Sequence, residues 1–412
     1  MERIITLPNH VQAILAYMES CGYKAYVVGG CVRDSLMGIE PHDWDICTSA
    51  TPEHVKEIFW EEKVLDTGLQ HGTVSLVLDG TPYEITTFRK DGTYTDGRRP
   101  DTVEFVDDIT TDLSRRDFTI NAMAYNPDTG IIDPFGGIED IQNRIIRCVG
   151  NPYDRFKEDA LRIMRALRFA IRFQFTIDQK TKSAMNSYGK YLKCISKERI
   201  CDEITKILST DVISKYNHDE VMQLRDLLYM IDKEIFFCIN DLEETPLDLP
   251  IRCAVMFASR NLKNSMTNLR FPKQLINETG EIFSLGSKLI LDVCINTNII
   301  TENIDYYVRK FMNSTKYTDV FSVIKYVKIV DERNWKAYDM LQNSIEECIN
   351  RNLPYKISHL AVNGNDMLSI GAKGEQIGSF LEFLLDEVIR GSISNEKEYL
   401  MSIAKSRFVP AL

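Results

Sequence analysis

Asp43 and Asp45 flank a single residue, Trp44. On an extended strand, positions i and i+2 project to the same face. Two carboxylates held side by side repel each other and are costly unless a cation lies between them. An Asp-x-Asp at a strand end therefore suits Mg²⁺, which prefers hard oxygen ligands, in the service of phosphoryl chemistry. Without context the same pair also reads as solvated aspartates at an exposed strand end. Glu84, on a neighbouring hairpin, is a candidate third acid; its plain alternative is a solvent-facing strand residue.

Two further groups of residues carry charge in a pattern. Gly29-Gly30-Cys31-Val32-Arg33-Asp34 places a glycine pair between a short apolar strand and a helix. Such a turn lets backbone amides approach a phosphate, and Arg33 adds a cation one turn on; an ordinary strand-to-helix turn has the same outline. Arg115-Arg116-Asp117-Phe118-Thr119-Ile120-Asn121-Ala122 runs from charge straight into an apolar segment. Arg116 and Asp117 are candidates to contact a ribose or triphosphate, or equally a surface ion pair at a helix start.

Farther on, the apolar spacing predicts a helix over 153–173. On it, Asp159, Arg162, Arg165, Arg168 and Arg172 share one polar face, opposite Ile163, Met164, Leu167, Ala170 and Ile171. Residues 141–172 hold eight basic and three acidic side chains, a local excess of positive charge in an acidic protein. One-sided arginines call for an anion. Asp159 and Arg162 offer an acceptor and donors suited to a base edge, with Arg165 and Arg168 suited to a triphosphate. The plain alternative is an i,i+3 ion pair on a solvated face.

These residues need elements to position them. An amphipathic helix is expected over 9–21, a strand at Tyr26-Val27-Val28, another at Asp43–Ile46, and a helix opened by Thr51-Pro52. Runs 73–78 and 83–88 read as a hairpin around Asp79-Gly80. Lys90–Pro100 is a polar loop. From 138 onward helical periods dominate, at 138–150, 153–173, 177–189, 196–209 and 219–232, and then to the end of the chain. The fold class is α+β: a mixed sheet with helices, then a long all-α region.

Composition narrows the function classes. The chain has 412 residues, 44% hydrophobic and 26% charged, with a net charge of −11. That excludes a generally basic nucleic-acid coat but leaves room for a local basic groove. No apolar run reaches the ~18 residues of a membrane span, so no membrane role is expected. The N-terminus shows no secretory pattern. Ten cysteines without a CxxC pair, and six unclustered histidines, point to reduced buried thiols in a cytoplasmic protein rather than a disulfide framework or zinc site. His218-Asp219 has only His359 after it, too few histidines for a phosphohydrolase centre.

Taken together and in this order, the motifs strongly resemble the class II tRNA nucleotidyltransferases, which comprise CCA-adding enzymes and bacterial poly(A) polymerases. The residues that carry the resemblance are Gly29–Asp34, Asp43/Asp45, Arg115–Ala122 and Glu158–Arg162. Asp133-Pro134-Phe135-Gly136-Gly137 and Glu198-Arg199-Ile200 also match. The likeness is dense over 25–205 and weaker at Leu360–Gly364 and Asn395–Glu398.

The resemblance implies a head (1–137, a nucleotidyltransferase palm), a neck (138–209), a helical body (210–300) and a tail (301–412). It implies that Asp43 and Asp45 bind the catalytic metals, Mg²⁺; Glu84, read from the neighbouring hairpin, is the candidate further catalytic acid. Gly30, Arg33 and Arg116 then bind the incoming nucleotide, and Asp117, read from its place beside Arg116, is a further candidate nucleotide-binding residue. Asp159 and Arg162 would pair with the Watson–Crick edge of C or A, with Arg165 and Arg168 nearby. The implied substrates are CTP, ATP and tRNA, gripped at its 3′ end and elbow. An intact Lys90–Pro100 loop favours an enzyme able to add A. The stretch 64–73 lacks the basic signature expected of poly(A) polymerases. Addition of A alone, poly(A) tailing, a non-catalytic RNA-binding protein and a small-molecule nucleotidyltransferase are the alternatives. About 270 helical residues beyond the palm argue for a large substrate. Arg260, Lys263, Arg270, Lys273, Lys316, Lys325 and Lys328 are candidate phosphate contacts, or ordinary surface charges. The oligomeric state is not readable from the chain.

Overall fold

A computed structural model describes residues 5–94, 97, 100–210, 218–231, 233, 245–259, 261–295 and 303–408. The chain folds as two compact units, Met1–Lys233 and Glu234–Leu412. The division falls within the expected body, after its first helix.

The first unit begins with α1 (Asn9–Ser20), β1 (Ala25–Val28), α2 (Gly30–Leu36), β2 (Ile46–Thr48), α3 (Pro52–Ile58), β3 (Lys63–Gly68), β4 (Thr73–Leu78) and β5 (Thr81–Thr87). There follow β6 (Arg89–Asp91), β7 (Val103–Phe105), α4 (Ile109–Ser114), β8 (Ala124–Asn126), β9 (Gly130–Ile132), α5 (Gly137–Asn143) and β10 (Ile145–Ile146). The unit closes with α6 (Pro152–Glu158), α7 (Leu161–Phe173), β11 (Thr176–Ile177), α8 (Gln179–Tyr188), α9 (Lys197–Leu208) and α10 (His218–Ile231).

A seven-stranded sheet runs β3-β4-β5-β2-β1-β8-β9. Within this sheet only β2 and β5 pair in parallel, with Ile46 opposite Ile85. The hairpin between β4 and β5 turns on Asp79 and Gly80, both at positive φ, which matches the twist of the flanking strands. Strand alternation separates two cores. Val27 and Ile46 join Val11, Ile14, Leu15 and Met18 of α1 on one face. Tyr26, Val28 and Cys47 join Ile109 and Leu113 of α4 on the other. The central strands are thus buried on both sides, and their ends can hold charged side chains rigidly.

Three expectations change. Asp43 and Asp45 are not in a strand; β2 begins at Ile46, although the Asp45 carbonyl still accepts from Val28 N at 3.0 Å. The helix expected over 138–150 stops at Asn143, because Arg144 adopts a left-handed conformation, and Ile145-Ile146 then pair in parallel with β11. The helix expected over 153–173 breaks at Asp159, whose backbone is extended (φ −152, ψ 105).

The second unit is helical among its described residues: α11 (Leu249–Met256), α12 (Leu262–Asn268), α13 (Lys273–Ile295), α14 (Ile304–Ser314), α15 (Val320–Val330), α16 (Trp335–Asn350), α17 (Gly364–Ser369), α18 (Glu375–Arg390) and α19 (Lys397–Phe408). Leu384, Leu400, Ala404, Met367 and Val362 make the core of its last helices. No helix among the described residues is long and apolar enough to cross a membrane.

Candidate active site

Gly29 follows β1 at φ +76, and a Cβ there would stand 2.8 Å from Arg116 Nη1. Only glycine accepts both constraints. Gly30 is different: a Cβ would meet Arg33 Nη2 at an ordinary 3.6 Å. The close approach therefore brings the Arg116 guanidinium against the turn that opens α2. Arg33, one turn into α2, is buried. It donates to Asp34 Oδ1 (2.8 Å) and Asn121 Oδ1 (2.5 Å) and lies over the Phe173 ring at 4.7 Å.

Both arginines line a cavity of about 710 Å³, together with Asp43, Asp45, Asp117, Asp159, Arg162, Arg165 and Arg168. Its lining carries nine basic and four acidic side chains, so it suits a polyanion. Gly30 lines it too. Every expected site residue is brought together here except Glu84, which lies outside the lining on β5.

The acidic end consists of Asp43 and Asp45. Desolvation first, then the negative charge of Glu84, with a smaller push from Asp43, raises the Asp45 carboxyl above its ordinary value, against the pull of Arg116. Glu84 thus reaches Asp45 by charge from the adjoining strand. Among the described residues no three His, Cys, Asp or Glu side chains are placed as a complete metal cage. Two neighbouring carboxylates fit Mg²⁺-like ions, which take one or two protein carboxylates and fill their remaining positions with water and substrate phosphate.

The opposite wall is a set of matched ion pairs. Asp117 receives Arg165 through Nε (2.7 Å) and Nη2 (2.6 Å) and Asn121 Nδ2 at 3.1 Å. Burial alone would raise this carboxyl; Arg165, Asn121 and the charge of Arg162 hold it at about 2. Arg168 donates to buried Glu203 at 2.6 Å. Arg116 donates to Asp112 (3.3 Å), an acid buried beneath β2. The expectation of arginines without matching acids is thus corrected: their acids come from other elements rather than from α7.

Asp159 and Arg162 do not pair with each other. Arg199 of α9 grips Asp159 as a fork, Nη1 to Oδ1 at 3.2 Å and Nη2 to Oδ2 at 2.6 Å. Asp159 Oδ1 also accepts from Leu161 N at 3.0 Å, satisfying an amide at the start of α7. A carboxylate has about four acceptor positions, so one remains. Arg162 Nη1 donates to Glu158 Oε2 (2.5 Å) and Arg155 O (3.2 Å), and Nη2 donates to Arg115 O (3.4 Å). Its Nε hydrogen and one Nη2 hydrogen have no protein partner among the described residues. Residues that sequence reasoning left unassigned also line the cavity, among them Arg115, Phe169, Arg172, Arg199 and Lys206. The signal for Arg199 was the Glu198-Arg199-Ile200 match.

A palm-like mixed sheet, paired carboxylates at its centre and a basic cavity closed by helices define a nucleotidyltransferase. Residues 25–147 match the poly A polymerase head domain family, and 174–217 match the family described as the probable RNA and SrmB-binding site of polymerase A. The CCA-adding enzyme of Enterococcus faecalis is 34% identical over 422 residues, covering 98% of each chain. That of Leuconostoc citreum is 52% identical over 209 residues, 50% of this chain and 51% of that one. The crystal structure of the Bacillus stearothermophilus CCA-adding enzyme in complex with CTP is 28% identical, covers 96% of each chain and superposes with a TM-score of 0.71. This chain belongs to the family of CCA-adding enzymes. Enzymes of this class work with divalent metal ions.

Proposed function

We propose that the protein adds the 3′-terminal CCA to tRNA from CTP and ATP. The RNA 3′-hydroxyl attacks the nucleotide α-phosphorus, and pyrophosphate leaves. The observation that carries the reading is that, in a chain of the CCA-adding family, one and the same cavity holds the Asp43/Asp45 pair together with Asp159 and Arg162, the latter two each with hydrogen-bonding capacity to spare.

Asp43 and Asp45 are the residues to hold Mg²⁺, with Glu84 adding negative field from β5. Bound there, one such ion would lower the pKa of the attacking hydroxyl and a second would stabilise the leaving oxygens. Gly30, Arg33 and Arg116 hold the incoming nucleotide around the first turn of α2, with Asp117 orienting Arg165. Asp159 accepts from the exocyclic amine of C or A, and Arg162 donates to the acceptors beside it. Arg165 and Arg168 supply positive charge beside the bound nucleotide. This is catalysis by positioning and charge neutralisation. In this reading residues 1–137 do the chemistry, 138–209 choose the nucleotide, and 210–300 and 301–412 hold the tRNA elbow. Lys263, Arg270, Lys273, Lys316, Lys325 and Lys328 remain candidate contacts; Arg260 lies outside the described residues. So do residues 95, 96, 98 and 99 of the Lys90–Pro100 loop, whose presence favours addition of A. We place the reaction in the cytoplasm, on the unpaired thiols of Cys31, Cys47, Cys148 and Cys201.

The test is extension of tRNA ending at the discriminator base, with Mg²⁺ and CTP, ATP or both. Two additions with CTP and a third only with ATP present are expected. One A added solely to tRNA ending in CC would replace this reading by A addition. Long A tails would replace it by poly(A) tailing. No extension of any RNA would overturn it.

A further inference from the structure

Lys157–Leu161 separates two cavities. Asp159 and Leu161 line the one described above. Phe156, Lys157 and Ala160 line a second, of about 280 Å³, closed by Tyr188, Tyr191 and Ile195. That volume lies just below the ~300–1,000 Å³ of a complete small-molecule site. It suits one planar group rather than a nucleoside triphosphate, and no arginine fork lines it.

Its rim is aromatic and positive. Tyr153 and Tyr188 meet edge to face with centroids 6.3 Å apart, and Tyr188 and Tyr191 are 5.5 Å apart at 35°. Tyr191 is 46% exposed and Tyr153 41%, so rings clustered together remain open to solvent. Lys190 Nζ lies 5.2 Å from the Tyr191 ring centroid. Lys157, Lys190 and Lys193 are exposed and have no carboxylate partner among the described residues. Residues 179–199 hold six basic side chains and one acidic, in a chain of net charge −11. Exposed rings offer stacking faces to any base, and unpaired lysines beside them offer counter-charge to the phosphates that follow. A purely apolar ligand would leave those lysines without a role.

We propose that Tyr188 and Tyr191, with Lys190 and Lys193, form a stacking shelf for an unpaired base in the 3′ segment of the RNA substrate. The inference rests on the RNA 3′-end reading above and adds a binding element outside the catalytic cavity. The shelf adjoins the Asp159 segment, so a base stacked there enters the site already ordered.

The probe is tRNA ending at the discriminator position with 2-aminopurine placed there, whose fluorescence falls on stacking. Binding to the unaltered protein should quench it. Tyr191→Ala should remove most of the quench and raise the tRNA Kd about 5- to 100-fold, the range of one lost base stack. Tyr191→Phe should keep both, because the ring and not the hydroxyl is used. Lys190→Ala with Lys193→Ala should lower the salt slope of tRNA binding by about 0.7 per lysine. The CTP Kd measured without RNA should not move in any of these variants. Tyr229→Ala, an equally exposed ring on α10, serves as the reference and should bind tRNA normally. Unchanged quenching and Kd in Tyr191→Ala would overturn the shelf, as would equal losses in Tyr191→Phe. Either result, with normal extension by the unaltered protein, leaves the functional reading standing. Failure of that protein to extend any RNA would instead bring down the reading itself.

Discussion

The two ends of the main cavity solve opposite electrostatic problems. On the helical wall, Asp159, Asp117 and Glu203 each hold an arginine at 2.6 Å. Those charges are matched by protein, in fixed geometry, before any substrate arrives. At the sheet end, Asp43 and Asp45 bring like charges together, and desolvation and the charge of Glu84 raise the Asp45 carboxyl. In the proposed reading the wall is preorganised for nucleotide choice, and the sheet end is completed by what binds. Mutations should therefore damage selection and fold at one end, and chemistry without fold at the other.

The largest effect is expected at the sheet end. Asp45→Asn should reduce kcat by about 10³-fold or more, several kcal/mol of lost charge stabilisation. The melting temperature should stay level or rise, because a raised folded-state pKa means that the carboxylate costs stability at neutral pH. Chelation of divalent ions should mimic the activity loss. A kcat within tenfold of the unaltered enzyme would show that the pair is not the metal site.

Next is Arg199, which acts through Asp159 and is therefore a positioning residue. Arg199→Ala frees the carboxylate to rotate and should cost tenfold to a hundredfold in discrimination between CTP and ATP, about 1.4–2.7 kcal/mol. Arg199→Lys restores charge but not the planar fork, so it should recover stability without recovering discrimination. Equal recovery of both would reduce the role of Arg199 to a structural ion pair.

The contrast also explains what could be read from the chain. Asp43, Asp45, Arg116, Asp117, Arg162, Arg165 and Arg168 were legible because their spacing is local and their charges unusual. The partners were not. Asp112 differs, since it stands four residues before Arg116 at an ordinary i,i+4 spacing. Arg199 lies 40 residues from Asp159, Glu203 35 from Arg168 and Asn121 88 from Arg33, and no period in the sequence records such contacts. The break at Asp159 was hidden for the same reason. Glu158 and Ala160 are good helix formers, and the extended conformation is held by Arg199 and by the Leu161 amide. The strand expected at Asp43 failed because β2 begins only where Ile46 finds Ile85.

Acid should separate the ends a third way. Asp117, at about 2 in the folded protein against an ordinary 3.8, contributes about 2 kcal/mol of stability near neutral pH. That contribution is present above the unfolded value and is lost as pH falls through the folded one, between about pH 4 and 2. Asp117→Asn should lower the melting temperature of the first unit at pH 7, and its deficit should shrink as pH is lowered across that window. A deficit independent of pH would mean that lost hydrogen bonds, not charge, account for it.

The smallest and cleanest contrast lies between adjacent glycines. Gly29→Ala must place a Cβ at φ +76, strained for any L-residue, and 2.8 Å from Arg116 Nη1. The guanidinium has to retreat from the cavity wall, so the variant should lose about 1–2 kcal/mol of stability and bind CTP more weakly. Gly30→Ala sits at a helical φ with its nearest neighbour at 3.6 Å. Alanine there should leave stability within about 0.5 kcal/mol or improve it, since it removes chain freedom only from the unfolded state. Thermal melts of both variants decide the point. Comparable losses at the two positions would mean that the turn as a whole is strained; a loss confined to Gly29 would locate the constraint at that one residue, where a positive φ and the contact with Arg116 coincide at the meeting of the sheet end and the basic wall.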